Sequence, residues 1–357
     1  MEQGKIDIIV GGQFGDEGKG SISAWFAMNK KYKAAVRVGG YNAEHRFSHN
    51  GKVYTGRVLP CAFINKSIKL YLGAGHLFSI DALKEESLRN GVPASRITID
   101  SNTGIVTKKH MGQSENADRS KRGGTTGRGA GKAAVHKVMR DGTFKVASKY
   151  ASLAKMYKIG DISGKIRKDL LGGKDILVEG SQGAFLSVDH GYYPYCCAKN
   201  VTPAGVLAEV GAGISDVREI IAVYRAFPMR VPGHSGPSLG KELPWSKVEK
   251  KAGKLSEDEK RQTLSDGSKG GYERMFEWNW EEFRKSLILC SPTQMVLTFA
   301  DWICTDDKGV NKQAHLHFSV RERINRMEEI AFEVLGRNVK VTLIKTGPNE
   351  DDIVVKG

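Results

Sequence analysis

Apolar and polar positions alternate along this chain in two ways. Short runs rich in β-branched residues, at 6–10, 34–38, 70–72, 176–178, 220–224, 295–298 and 341–344, each end at glycine or a polar turn. Continuous apolar runs of that length predict strands buried on both faces of a sheet. Helical spacing lies between many of them. One example is Ser23-Ala24-Trp25-Phe26-Ala27; another is 320–335, with Ile324, Met327, Ile330, Ala331 and Val334 on one face and Gly336 as a stop. Strands alternating with helices predict an α/β fold with a mostly parallel central β-sheet and helices on both faces. Motifs at the carboxyl ends of such strands converge on one crevice. Two stretches read as loop excursions: 107–140, rich in Gly, Lys and Arg, and 233–271, polar with little apolar periodicity. One domain spanning 1–357 with these embellishments accounts for the pattern.

Composition narrows the class. The 357 residues are 40% hydrophobic and 27% charged, ordinary for a soluble protein with a large core. No run of eighteen apolar residues is present, so no membrane span is predicted, and the start Met1-Glu2-Gln3-Gly4-Lys5 lacks a signal core. A cytoplasmic location is expected, the host's if the source is viral. The five cysteines (Cys61, Cys196, Cys197, Cys290, Cys304) are odd in number and lack metal-ligand spacing, which predicts free thiols. The net charge of +15 points to polyanions. The basic residues are dispersed, without a groove-reading motif, so they read as a surface around sites for several phosphates rather than a specific nucleic-acid interface.

The chemistry begins at the first strand. Ile6-Asp7-Ile8-Ile9-Val10 runs into Gly11-Gly12-Gln13-Phe14-Gly15-Asp16-Glu17-Gly18-Lys19-Gly20-Ser21, and helical spacing follows. A strand, a glycine-dense loop and a helix N-terminus form a phosphate cradle, to which Lys19 adds a full charge. It is P-loop-like but not a standard P-loop, because Gln13 and Gly20 stand where that pattern has glycine and a hydroxyl residue. The acidic pair Asp16-Glu17, placed beside a phosphate site, suggests a proton acceptor or a magnesium ligand.

Further blocks follow in order: Asn42-Ala43-Glu44-His45, Gly124-Thr125-Thr126-Gly127-Arg128-Gly129, Glu179-Gly180-Ser181-Gln182-Gly183, Asp189-His190-Gly191-Tyr192-Tyr193-Pro194-Tyr195 and Lys345-Thr346-Gly347-Pro348. Together with the loop they resemble the adenylosuccinate synthetase family over residues 6–350. The resemblance implies a ligase that phosphorylates O6 of a 6-oxopurine nucleotide and displaces that phosphate with L-aspartate. It implies Asp16 as base and magnesium ligand and His45 as acid, a role that contributes roughly a hundredfold to ten-thousandfold in rate. It places Gly15, Glu17, Gly18, Lys19, Gly20, Phe299, Asp301, Thr346, Gly347 and Pro348 around the triphosphate. Asn42, Thr125, Thr126, Arg128, Gln182, Cys197 and Tyr272 then lie around the substrate nucleotide, with Arg140 reaching it from the partner in a homodimer and Arg274 on the aspartate carboxylate. Mg²⁺ is the implied cofactor. The family has a glycine where Glu44 stands, whose backbone oxygen is a metal ligand.

Departures from the family bear on the substrates. Tyr272 replaces the first arginine of the family's arginine-rich loop, which lies beside the ribose 2′-hydroxyl. Losing that contact changes selectivity by about 1–3 kcal/mol and favours a deoxyribose. Phe299 replaces the lysine that covers a guanine donor, and an aromatic face stacks on any purine, so ATP or dATP is expected beside GTP. These changes resemble the viral branch that acts on dGMP to make 2-aminoadenine precursors, although some members of that branch lose the aspartate kept here as Asp16. The alternatives are the IMP enzyme using GTP and, from another class, a nucleic-acid-binding protein with a regulatory nucleotide site. Steep salt dependence of DNA binding without sequence preference would mark plain electrostatics.

Overall fold

The computed structural model describes residues 2–111, 127–263 and 269–356. A ten-stranded sheet forms the frame. In chain order its strands are β1 (Ile6–Gly11), β2 (Ala34–Arg37), β3 (Lys69–Leu72), β4 (Ile97–Asp100), β5 (Lys158–Gly160), β6 (Ile176–Gly183), β7 (Val217–Arg225), β8 (Gln294–Thr298), β9 (Lys340–Lys345) and β10 (Ile353–Val355). In space they run β10-β9-β8-β7-β1-β6-β2-β3-β4-β5. Every pairing is parallel except β9 with β10. All seven runs predicted as strands lie in this sheet. The runs β4, β5 and β10 were not foreseen; they are short edge or near-edge strands with weak patterns.

Alternation along β1 shows why both faces are covered. Ile6, Ile8 and Val10 join one core with the helices Ile162–Leu171, Pro203–Val210, Trp280–Cys290 and Phe318–Leu335. Ile9 points the other way, into a core with Ile22, Phe26 and Ala27 of the helix Lys19–Asn29 and Leu83 of Ile80–Arg89. Asp7 shares that second side. It is fully buried and held by Tyr32 Oη at 2.6 Å and by Arg218 Nη2 at 2.6 Å.

Strand order runs away from β1 in both directions, so β1 marks the switch point of the sheet. A ligand crevice is expected beyond the carboxyl ends there. The ends of β1, β2, β6, β7, β8 and β9 carry the loops that line the cavity described below. Within 233–271 the described residues carry more regular structure than the polarity suggested. It holds the helix Trp245–Ala252, whose Val248 and Ala252 pack with Phe227, Met275 and Trp302 in a third core. Two apolar contacts per helix are enough when a neighbouring sheet edge supplies the other wall, and so short a helix leaves little periodic signal. No helix among the described residues is long and apolar enough to cross a membrane.

Ile330 is fully buried on the inner face of Phe318–Leu335. Replacing it with alanine should lower unfolding free energy by about 2–5 kcal/mol, measured by urea denaturation. Phosphate-releasing activity should survive at temperatures where the variant is folded.

Candidate active site

The loop after β1 is shaped by backbone sign and by one buried acid. Gly15, Asp16 and Gly18 have φ of 96°, 54° and 83°. Gly18 caps the helix Lys19–Asn29 in the left-handed region, which glycine adopts without a steric cost. Glu17 turns inward. Its Oε1 accepts from the N–H groups of Gln13 (3.0 Å) and Gly15 (2.9 Å), and its Oε2 pairs with Lys19 Nζ at 2.5 Å. It was expected around the triphosphate, but its side chain is fully buried and braces the loop from beneath. Asp16 is the residue presented to the cavity. Enclosure by the surrounding protein raises its pKa, opposed by Lys19 and Arg225 and helped by Glu17 and Glu44.

Asp16 holds a conformation that costs a non-glycine residue roughly 1–2 kcal/mol. Arg225, at the end of β7, donates from Nη1 to Asp16 O at 3.0 Å. A hydrogen bond from a charged donor contributes roughly 1.5–3 kcal/mol, which is enough to offset that strain.

His45 opens the hairpin His45–His49/Lys52–Gly56 and leans on the first turn of the helix. A Cβ at Gly20 would meet His45 Cβ at 2.6 Å, so this turn is bare where a P-loop carries a hydroxyl side chain. Behind the ring, His45 Nδ1 lies 2.6 Å from Glu179 Oε1, which also accepts from Arg37 Nη1 at 2.7 Å, while Cys61 N–H donates to Oε2 at 2.7 Å. Arg37 Nη1 also lies 2.7 Å from Nδ1, so this ring nitrogen faces a carboxylate and a guanidinium together. Burial lowers the His45 pKa to about 3, reinforced by Arg37 and opposed by the bond to Glu179. Burial alone would raise Glu179, but Arg37 and His45 outweigh it and hold it at about 2. The ligand atoms of His45, Cys61 and Glu179 cluster as a metal site would, yet Arg37 already supplies the positive charge.

A cavity of about 730 Å³ lies over these groups. Gly15, Asp16, Gly18, Lys19, Gly20, Asn42, Glu44, His45, Arg128, Gln182, Cys197, Phe299, Asp301, Gly347 and Pro348 line it, as expected. Gln182, at φ 58°, reaches Asn42 Oδ1 from Nε2 at 3.4 Å. Asp301 has Oδ1 buried without a hydrogen-bond partner among the described residues, and burial pushes its pKa up to about 6. The expectation at Glu44 concerned its main-chain oxygen, and the side chain is engaged elsewhere. Arg57 and Arg46 both pair with its carboxylate, which ties up the side chain as a metal ligand.

Other expected residues stand off the wall. Thr346 is fully buried, its hydroxyl donating to Val310 O at 2.6 Å. Tyr272 is half exposed at the rim. Arg274 is clamped by Glu242, Ser235 and Gly236 O. Arg140 caps the helix Ala130–Met139 in the left-handed region and faces outward. Thr125 and Thr126 lie outside the described residues. Arg225, Arg230, Glu273 and Trp302 line the cavity and were missed. Arg225 carried a legible signal, as a charged residue at the very end of an apolar strand. Glu273 carried none.

A parallel sheet with a phosphate loop at its switch point, an acid and a histidine facing one cavity defines a nucleotide-dependent enzyme of the α/β class. The family model "Adenylosuccinate synthetase" matches residues 8–150 and 143–251. Adenylosuccinate synthetase from Methanocaldococcus jannaschii is 34% identical over 96% of this chain and 94% of its own length. That from Methanosphaera stadtmanae is 33% identical over 97% and 96%. Among solved structures, adenylosuccinate synthetase from Plasmodium falciparum, fully ligated, superposes with a TM-score of 0.83 at 19% identity, covering 99% of this chain and 100% of that one. Succinoaminodeoxyadenylate synthetase (PurZ) of cyanophage S-2L, bound to dGMP and to dATP as an energy donor, gives 0.80 at 21% identity, covering 99% and 96%. The chain belongs to the adenylosuccinate synthetase family and is a C–N ligase.

The buried histidines make stability depend on pH. His45 and His76 both have folded pKa values depressed by burial, His45 to about 3. Between pH 6.5 and 5 the unfolded chain binds protons that the folded chain refuses, so stability falls as pH falls. The slope is about 1 kcal/mol per pH unit for each histidine. Glu273 and Asp301, raised by burial to about 8 and about 6, act in the opposite sense, so the check is the difference between proteins. From pH 7 to pH 5 the wild type should lose more stability, or gain less, than His45→Asn in urea denaturation.

Proposed function

We propose that the chain joins L-aspartate to C6 of dGMP at the expense of a purine nucleoside triphosphate, with ATP or dATP as donor. Asp16 removes the N1 proton of the purine, and O6 attacks the γ-phosphorus as the bond to the leaving nucleoside diphosphate breaks. The aspartate amine then displaces phosphate from C6, losing a proton. His45 lines the cavity beside the loop that holds the donor phosphates in this reading. An anionic phosphate beside the ring favours a second proton there, which an acid needs. Lys19 and the loop N–H groups hold the donor phosphates. Asp16 fits magnesium as a hard oxygen ligand on the cavity wall. The Glu44 carboxylate does not fit, which leaves its main-chain oxygen. When bound, magnesium would neutralise charge on the phosphates.

One observation carries the dGMP assignment. Tyr272 stands at the rim between Arg261 and Glu273 of the wall, its ring covered by Arg261 at 4.0 Å and its hydroxyl donating to Glu257 at 2.9 Å. A tyrosine held in this way offers no guanidinium to a ribose 2′-hydroxyl. The donor assignment is supported by Phe299, which lines the cavity beside Asp301. A second reading, IMP with GTP, draws support from the archaeal relatives, whose names are those of the classical enzyme and which match nearly end to end. The homodimer and the reach of Arg140 into a partner's site belong to this proposal, and outward-facing Arg140 is compatible with it.

Phosphate release measured with dGMP, dIMP, GMP and IMP in turn should give the highest kcat/KM for dGMP, and ATP should serve at least as well as GTP. A higher value for IMP returns the chain to the classical reaction. Asp16→Asn should abolish release in either case while the melting temperature holds. In sedimentation the chain should run as a dimer, and Arg140→Leu should raise KM for the monophosphate; a fully active monomer would sink the shared site.

A further inference from the structure

Arg225 is nearly fully buried, yet no carboxylate among the described residues lies within ion-pair range of it. Its guanidinium lies 3.7 Å from the Phe299 ring centre and 4.6 Å from that of Trp302. One nitrogen donates to Asp16 O, and Nε is buried without a partner among the described residues. Its main chain is clamped in both directions by Gln13, with Nε2 donating to Arg225 O at 3.2 Å and Arg225 N donating to Oε1 at 2.9 Å. Glu273, Asp16, Glu17 and Asp301 act on this charge from beyond contact, and its direct partners are two aromatic rings and one carbonyl. Those partners belong to different halves of the cavity. Phe299 and Trp302 flank Asp301, the polar group available to a donor base, and Asp16 stands on the phosphate loop.

We propose that Arg225 is a positioning residue that couples the donor-base platform to the catalytic loop. Phe299 lies against Arg225 and also lines the cavity. A base stacked on the ring presses it onto the guanidinium, and the guanidinium fixes the main chain of Asp16. Occupancy of the donor site thereby sets the carboxylate that must meet the purine. The inference rests on the reading of Asp16 as the working base and of Phe299 as the donor platform.

The test is a set of variants assayed for phosphate release at saturating donor and acceptor. Arg225→Met keeps the bulk and loses the donor group, and should lower kcat at least tenfold. Arg225→Lys should recover little, because an ammonium cannot stack as a plane and donate to Asp16 O at once. Phe299→Leu gives the decisive readout. A ring that merely binds the base would change donor KM alone, whereas coupling lowers kcat by severalfold at saturation. In the Phe299→Leu background Arg225→Met should cost much less than in the wild type. An unchanged kcat in Phe299→Leu, or additive effects in the double variant, overturns the inference. If Arg225→Met does not fold by thermal melt, Phe299→Leu alone decides. If the wild type turns over no acceptor, the functional proposal fails. The coupling is then read from ATP binding by calorimetry across the same cycle, where additivity overturns it.

Discussion

The carboxylate of Glu179 is where the frame and the chemistry meet. It sits fully buried near the end of β6 and accepts from Arg37 on β2, His45 on the hairpin and the N–H of Cys61 in the turn that packs under the first helix. Breaking such a buried pair by removing one partner costs about 3–5 kcal/mol, because the other charge is left stranded. The histidine on the cavity wall is therefore set by adjacent strands of the sheet and not by a free loop. Its orientation follows from that one acceptor, while its low proton affinity comes from burial and Arg37, against the pull of Glu179.

Charged groups lie in two layers. Beneath the surface, acids act as braces: Glu17 holds the phosphate loop, and Glu86 accepts from the N–H groups of Arg57, Val58 and Leu59. Facing the cavity are Lys19, Arg46, Arg128, Arg225, Arg230 and Lys345. Burial lowers the pKa of Lys345 to about 8, against the pull of Asp352 and Asp301, so it remains mostly charged at neutral pH. The wall therefore carries these cations beside Asp16, Glu44, Glu273 and Asp301, and the cations give part of the +15 net charge a local place.

Much of this was legible in the chain. The central strands are long, apolar and bounded by glycine, so their pattern survived without any tertiary knowledge. Asp16 and His45 could be singled out because they sit in glycine-rich loops at strand ends, where backbone requirements restrict the residue type. What escaped depends on contacts between distant segments. Glu17 and Asp16 are adjacent and chemically alike, and only the turn of the backbone decides which faces inward. Glu44 reads as a possible ligand until Arg57 folds against it. Thr346 sits in a phosphate-like motif, yet its hydroxyl is satisfied by Val310 O. Arg225 looks like the polar end of a strand until Phe299 and Trp302 close around it.

The bare turn at Gly20 has an evolutionary consequence. In the ordinary phosphate loop a hydroxyl at that position grips the metal, whereas here the same volume is filled by a histidine from another segment. The two arrangements compete for one space, so neither is reached from the other by adding a single group. A side chain introduced at this position meets the Cβ and main chain of His45 and the Sγ of Cys61 before its hydroxyl can be placed. Lineages using this loop are thereby separated by a steric barrier, and sequences intermediate between the two types should be rare even where the surrounding sheet is shared.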